Sequence, residues 1–163
     1  MKSQDENSSA LTHVNDRGQA HMIEVGSKDI TSRQARARGR VICAPETVDV
    51  LKAGELRKGD ALAVARIAGI AAAKRTSDLI PLCHPIAITG VDVDVEVCED
   101  AVEITATVST ADRTGIEMEA LTSVSVAALN IIDMVKGIDR GAHIGEVVLE
   151  YKSGGRSGTW QRG

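Results

Sequence analysis

The sequence predicts an α+β domain in which an antiparallel sheet carries helices on one face, and three observations predict it. Val91, Val93, Val95 and Val97 alternate with Asp92, Asp94 and Glu96; after Glu99 and Asp100 the alternation resumes at Val102, Ile104, Ala106 and Val108. That is the period-two signature of a hairpin with one buried face. From Gly115 to Lys136 the chain runs without an internal glycine or proline and stops at Gly137, which reads as one long helix. The order of the elements along the chain is strand, helices, strand, strand, helix, strand. It matches the split β-α-β arrangement of ferredoxin-like folds.

Each element has a local reason. The first ten residues, MKSQDENSSA, are polar with nothing apolar to anchor them before Leu11, and predict a disordered segment. Asn15-Asp16-Arg17-Gly18 is a turn signature, and Met22, Ile23 and Val25 suggest a short extended piece behind it. Between Gln34 and Cys43, Ala35, Arg36, Ala37 and Arg38 alternate into Val41-Ile42-Cys43, giving a strand with one polar face. Pro45 at the first helical position, Glu46 in the first turn and Gly54 beyond Leu51 bound a short helix over 45–53. Asp60 is a good N-cap for the Ala-rich run ALAVARIAGIAAAKR, whose last turn carries Lys74 and Arg75. Pro81 and Pro85 exclude regular structure from TSDLIPLCHP, so this apolar stretch reads as a loop held by Leu79, Ile80 and Leu82. An apolar loop of this kind points to a buried site. Ile144 to Tyr151 alternates as a final strand, and KSGGRSG follows as a Gly-rich basic tail.

Composition narrows the function. A length of 163 residues fits one domain. No run approaches the roughly 20 apolar residues of a membrane helix, and the polar N-terminus resembles neither a secretory signal nor a transit peptide, so the expected place is the cytoplasm. Three cysteines, Cys43, Cys83 and Cys98, with no CxxC pair fit reduced thiols and argue against zinc. Nineteen basic against 23 acidic residues lack the net basic footprint of a nucleic-acid binder. Phe is absent and Tyr151 and Trp160 are the only aromatics, whereas single-strand binders need several aromatic faces. A core of Ala, Val, Ile and Leu buries less area per side chain than one with Phe, which favours burial between copies of the chain.

Four places combine ionisable groups with apolar or Gly-bounded surroundings: Lys58 in RKGD, His84 in LCHP, Glu117 and Glu119 in GIEMEA, and Asp133 with Lys136 in DMVK. Each has an ordinary reading. Lys58 alone is a solvated cation or a phosphate ligand. His84 is a structural histidine satisfied by backbone, or an acid, base or ligand, and its loop favours the latter. Glu117 and Glu119 suit a helix N-terminus without any function, and Asp133 with Lys136 is a surface pair at i,i+3. Yet at about 100° per residue Glu119, Thr122, Val126, Asn130 and Asp133 share one stripe of the long helix. Glu119 and Asp133, 14 residues apart, lie about 21 Å apart along its axis. They are too far apart to act on one bond, although two copies of the helix could reunite them. The tail from Lys152 to Gly158 offers backbone N–H groups and two cations to an oxyanion, or is simply mobile.

Together, KGDALAVARIAGIAAAKRTSDLIPLCHP, TGIEMEALTSVSVAALNIIDMVK and KSGGRSG resemble the cyclic pyranopterin monophosphate synthase family, the accessory protein C of molybdenum cofactor biosynthesis. The resemblance runs from about Leu11 to Gly158. It implies a single catalytic domain over 11–158 with a short C-terminal tail, 159–163. Arg156 stands where many relatives carry Lys. The resemblance also implies a lyase that converts (8S)-3',8-cyclo-7,8-dihydroguanosine 5'-triphosphate into cyclic pyranopterin monophosphate with loss of diphosphate. It implies a homohexamer, a trimer of dimers with sites at subunit interfaces. By the same likeness Asp133, Lys136 and Lys58 are the catalytic residues, and Leu82, Cys83, His84, Glu117, Met118 and Glu119 are the substrate-binding pocket. No cofactor and no protein-bound metal are called for, and Mg2+ could accompany the triphosphate. Neither nucleic acid nor membrane is an expected partner. Two other readings remain open: a non-catalytic ferredoxin-like domain that binds a nucleotide for regulation, and a weak RNA-binding module built on the Arg-rich strand.

Overall fold

The computed structural model describes residues 13–163; the segment 1–10 expected to be disordered lies outside them. Nine elements follow one another: β1 (Thr31–Ile42), α1 (Pro45–Ala53), α2 (Ala61–Ala73), α3 (Thr76–Leu79), β2 (Ile88–Val97), β3 (Ala101–Asp112), α4 (Glu117–Val135), β4 (His143–Ser153) and β5 (Trp160–Gln161). The strands form one antiparallel sheet in the order β2-β3-β1-β4-β5. Its first four strands have the ferredoxin-like order, and helices pack on the inner face.

That face is set by alternation. Ala35, Ala37 and Val41 of β1 and Val102, Ile104, Ala106 and Val108 of β3 are fully buried, and against them lie Ala120, Val124, Ala127, Ala128 and Ile131 of α4. By length and apolar composition α4 could cross a membrane, but half of its apolar window is buried and it packs on β1 and β3 as a core helix. Truncating a side chain such as the fully buried Ile131 to Ala costs about 2–5 kcal/mol. The α2 helix lies alongside α4, and Gly69 permits the close approach. A Cβ there would sit 3.1 Å from the Ser123 hydroxyl and 3.2 Å from its carbonyl oxygen, tighter than ordinary contact. Asp60 caps α2 as expected, accepting from the Ala63 N–H at 3.0 Å.

The outer face carries an ionic ladder. Arg38 meets Glu146 and Glu150 at 2.8 Å each, Arg40 meets Asp100 at 2.8 Å and Glu103 at 3.3 Å, and Arg36 meets Glu150 at 3.3 Å. The arginine row of β1 is therefore spent within the sheet, which counts against the RNA-binding reading.

Three expectations are corrected. TSDLIPLCHP is not loop throughout: Pro81 bars helix only from the residue before it onward, so Thr76–Leu79 form the single turn α3. Leu79 does not anchor the loop, being 57% exposed. The extended piece expected at 22–25 joins no strand; among the described residues before β1 the one ladder is the isolated bridge between Val14 and Ala20, closed over the expected turn by Asn15. And the basic tail is folded. Gly154, Gly155 and Gly158 adopt positive φ, after which β5 pairs with Tyr151 and Lys152 at the open edge of β4.

Candidate active site

The start of α4 and the loop after α3 meet over one cavity of about 470 Å³. Ile116, 1% exposed, seats the helix start in the core. This turns Glu119 inward, 3% exposed, and Glu117 and Met118 line the cavity with it. Across it, the Cys83 N–H donates to the Ile80 carbonyl at 3.0 Å, closing a turn that presents Leu82, Cys83 and His84. All six residues expected to contact the ring thus line a single space. The third wall comes from the segment before β1: His13, Ile23, Val25 and Lys28. His84 Nε2 donates to the Ile23 carbonyl at 2.6 Å, which spends one ring nitrogen and leaves Nδ1 to meet a ligand.

Burial and charge set the protonation here. Desolvation, helped by the neighbouring Glu117, pushes Glu119 up to about 7 although its own N–H opposes the shift, so near neutral pH it can donate as well as accept. Burial and the Glu119 carboxylate raise the Cys83 thiol. It is therefore a neutral wall rather than a nucleophile. Glu117 is held by Lys152 of β4 at 2.9 Å.

A second cavity, about 430 Å³, adjoins the first and shares Lys28, Thr114 and Gly115 with it. It brings together Lys28, Arg33, Arg113 and Arg156, with Asp29 as the one acid of its lining. Arg33 is fixed by donating to the carbonyls of Asp112 at 3.0 Å and Arg113 at 3.2 Å, and Arg113 by donating to that of Lys28 at 3.0 Å. Gly154 and Gly155 of the tail make this possible. A Cβ at position 154 would run into the Ser32 carbonyl oxygen, and one at position 155 would lie 2.5 Å from the Arg33 guanidinium. Thr31 also lines the cavity, its hydroxyl buried with no hydrogen-bond partner among the described residues. Four cations and a glycine turn make an anion site.

Lys58, Asp133 and Lys136 meet elsewhere. Lys136 Nζ lies 2.6 Å from Asp133 Oδ1. Lys58, from the loop between α1 and α2, donates to the Asp133 backbone carbonyl at 2.7 Å and stands 3.7 Å from Oδ2. The hydrogen bond and charge of Lys136, then the charge of Lys58, hold the Asp133 carboxyl below its ordinary value. All three side chains are about half exposed. This cluster ends α4, whereas the two cavities begin it, some 21 Å away by the rise of the helix.

Lys28, Arg33, Arg113 and the 13–25 segment were not singled out from the sequence. Arg113 stands two residues before Gly115, a signal that a search for cations beside the GIEMEA motif would have caught. Nothing local marks Ile23 or Lys28, whose places depend on backbone contacts with residues 61 and 85 positions away.

An antiparallel α+β sandwich with an apolar, acid-lined cavity opening onto a cationic one is the layout of an enzyme acting on a small anionic heterocycle. Sequence comparison gives the family: residues 22–155 match the model of the MoaC family, and the chain belongs to it. It is 60% identical over 152 residues to the cyclic pyranopterin monophosphate synthase of Streptomyces coelicolor, covering 93% of this chain and 89% of that protein. The Thermomicrobium roseum protein of the same name is 56% identical over 154 residues, covering 93% of each chain. Cyclic pyranopterin monophosphate synthase 1 of Mycobacterium tuberculosis is 56% identical over 154 residues, covering 94% of this chain and 91% of the relative. Among the described residues there is no group of three or more His, Cys, Asp and Glu that could hold a metal ion.

Proposed function

We propose that this chain converts (8S)-3',8-cyclo-7,8-dihydroguanosine 5'-triphosphate into cyclic pyranopterin monophosphate and diphosphate, in the cytoplasm, as a step of molybdenum cofactor biosynthesis. The observation that carries the reading is the adjoining pair of cavities. One is apolar with a buried, proton-bearing Glu119, sized for a fused heterocycle, and the other is cationic, suited to a triphosphate.

In this reading Glu119 and His84 grip the ring, one as a donor at neutral pH and the other through Nδ1, while Leu82, Cys83 and Met118 exclude water. Glu117, tied to Lys152, fixes the helix start beside them. Lys28, Arg33, Arg113 and Arg156 hold the phosphates, and a divalent cation would arrive with the triphosphate rather than on the protein. Closing the cyclic phosphate requires a sugar hydroxyl oxygen to attack the α-phosphorus as the bond to the bridging oxygen of the leaving diphosphate breaks. The hydroxyl proton goes to a base, and cations stabilise the leaving charge. Opening the purine ring and rebuilding it as a pterin needs further proton transfers. Asp133, kept ionised by two lysines, is the base; Lys136 returns the proton and Lys58 steadies a phosphate.

That division demands two copies. Glu119, Val126 and Asp133 share a stripe at seven-residue spacing, so a two-fold axis near Val126 would set the Glu119 end of one α4 against the Asp133 end of another. The outward side of α4 suits such contact: Leu129 is 57% exposed and Met118 38%. We assign this pairing to the dimers of a homohexamer.

Purified chain given the cyclised triphosphate should release one diphosphate per cyclic pyranopterin monophosphate formed. Binding without release would return the chain to a regulatory role.

A further inference from the structure

The turn that leaves α4 carries a buried carboxylate that the reaction does not use. Asp139, 8% exposed, accepts from the backbone N–H of Ala44 at 2.8 Å and of Gly141 at 3.0 Å. The Ala44 N–H first, then the Thr47 side chain and the N–H groups of Gly141 and Ala142, hold its carboxyl below the ordinary value. Ala44 is the N-cap of α1, and its methyl cannot cap: α1 has no side-chain cap of its own. The free donors at a helix start need partners, and here a residue 95 positions away in sequence supplies one.

The joint is stiff on both sides. Asp139 follows Lys136 by three residues, and the N–H groups of Ile138 and Asp139 both donate to the Val135 carbonyl at 2.9 Å, so the turn continues the last turn of α4. On the other side Thr47 is 2% exposed and Val48 and Leu51 of α1 are buried in the core. The α1 helix then runs into the loop that carries Lys58 to Asp133. Lys58 and Asp133 therefore hang from two helices that one carboxylate fastens together.

We propose that Asp139 is a positioning residue: by clamping the N-terminus of α1 to the end of α4 it holds Lys58 in register with Asp133 and Lys136. The proposal rests on the reading of those three residues as catalytic.

A structural cap and a positioning clamp are separable, because Ala44 already has the extended conformation of an N-cap residue, φ −64° and ψ 149°. Ala44→Ser can cap α1 locally without rebuilding the link to α4. In the full-length chain, Asp139→Ala should lower both Tm and kcat/KM for the cyclised triphosphate, the latter about tenfold to a hundredfold. Ala44→Ser in the Asp139→Ala background should restore Tm but leave kcat/KM low. Asp139→Asn, which keeps one acceptor, should fall between Asp139→Ala and wild type, and it serves as the folded variant if Asp139→Ala does not accumulate. Recovery of kcat/KM together with Tm in the double variant would overturn the proposal, as would wild-type kcat/KM in Asp139→Ala. Asp133→Asn measured alongside separates the two failures. If it turns over normally, the catalytic reading falls and this proposal with it; if it is inactive while Asp139→Ala is normal, the proposal alone falls.

Discussion

Replacing Glu119 by Gln sets burial against chemistry at a single atom. In the folded chain its carboxyl is pushed from an ordinary 4.5 to about 7 by desolvation first and by Glu117 last. Between those values the folded state keeps a proton that the unfolded chain has lost. It therefore binds more protons, and stability falls as pH rises through the window and levels off above about 7. At 1.36 kcal/mol per pKa unit, this single group removes about 2.5 kcal/mol of stability between pH 5 and pH 8. Gln at this position does not titrate. Glu119→Gln should therefore gain on wild type by that amount over the same interval, which for a chain of this size is a relative Tm gain of about 5–10 °C. Thermal unfolding followed by circular dichroism at pH 5 and pH 8 reads it directly. The same variant should lose kcat/KM at pH 7, because in the proposed site an amide cannot exchange the proton that Glu119 would share with the ring. Parallel Tm profiles for variant and wild type across this range would show that Glu119 is not buried in a charge-hostile pocket, and the ring-binding role would lose its physical basis.

Other outcomes follow from the two clusters. Asp133→Asn should fold normally, since the side chain is half exposed and barely changes in size, yet release almost no diphosphate in a turnover assay. Lys58→Ala should keep its Tm, a surface lysine being worth within about 0.5 kcal/mol, while kcat/KM falls more than about tenfold through loss of a charge-assisted bond. Unchanged kinetics at low ionic strength would return Lys58 to solvent. Arg156→Ala should raise KM for the triphosphate and flatten its dependence on salt relative to wild type, and an unchanged salt profile would exclude the cationic cavity as the phosphate site.

The hairpin, α1, α2 and α4 were legible because their signals are local: a period of two with one buried face, Pro45 and Asp60 at helix starts, and a run free of breakers up to Gly137. The rest depends on distant partners. α3 is one turn that Pro81 permits but no pattern announces. β5 exists because the edge of β4 offers Tyr151 and Lys152 for pairing. The segment before β1 reads as irregular because it is irregular; its place over the cavity is set by His84 and Arg113 donating to its carbonyls. Of the site, the stripe joining Glu119 to Asp133 could be drawn on a helical wheel, and so could the problem of their separation. That Lys58 reaches the Asp133 carbonyl across 75 residues, or that four cations gather beside the acidic cavity, could not. Such contacts are made by the turn of the chain and not by spacing.

In the proposed reaction, catalysis needs the Glu119 end of one α4 and the Asp133 end of another. Co-expressing Glu119→Gln and Asp133→Asn with different affinity tags, and purifying the species that carries both, tests it in one turnover assay. Shared sites predict that each mixed dimer regains one of its two sites; with half of the dimers mixed, the doubly tagged hexamers recover about a quarter of wild-type turnover. Turnover no greater than that of the two inactive parents would contradict the account and confine the reaction to a single chain.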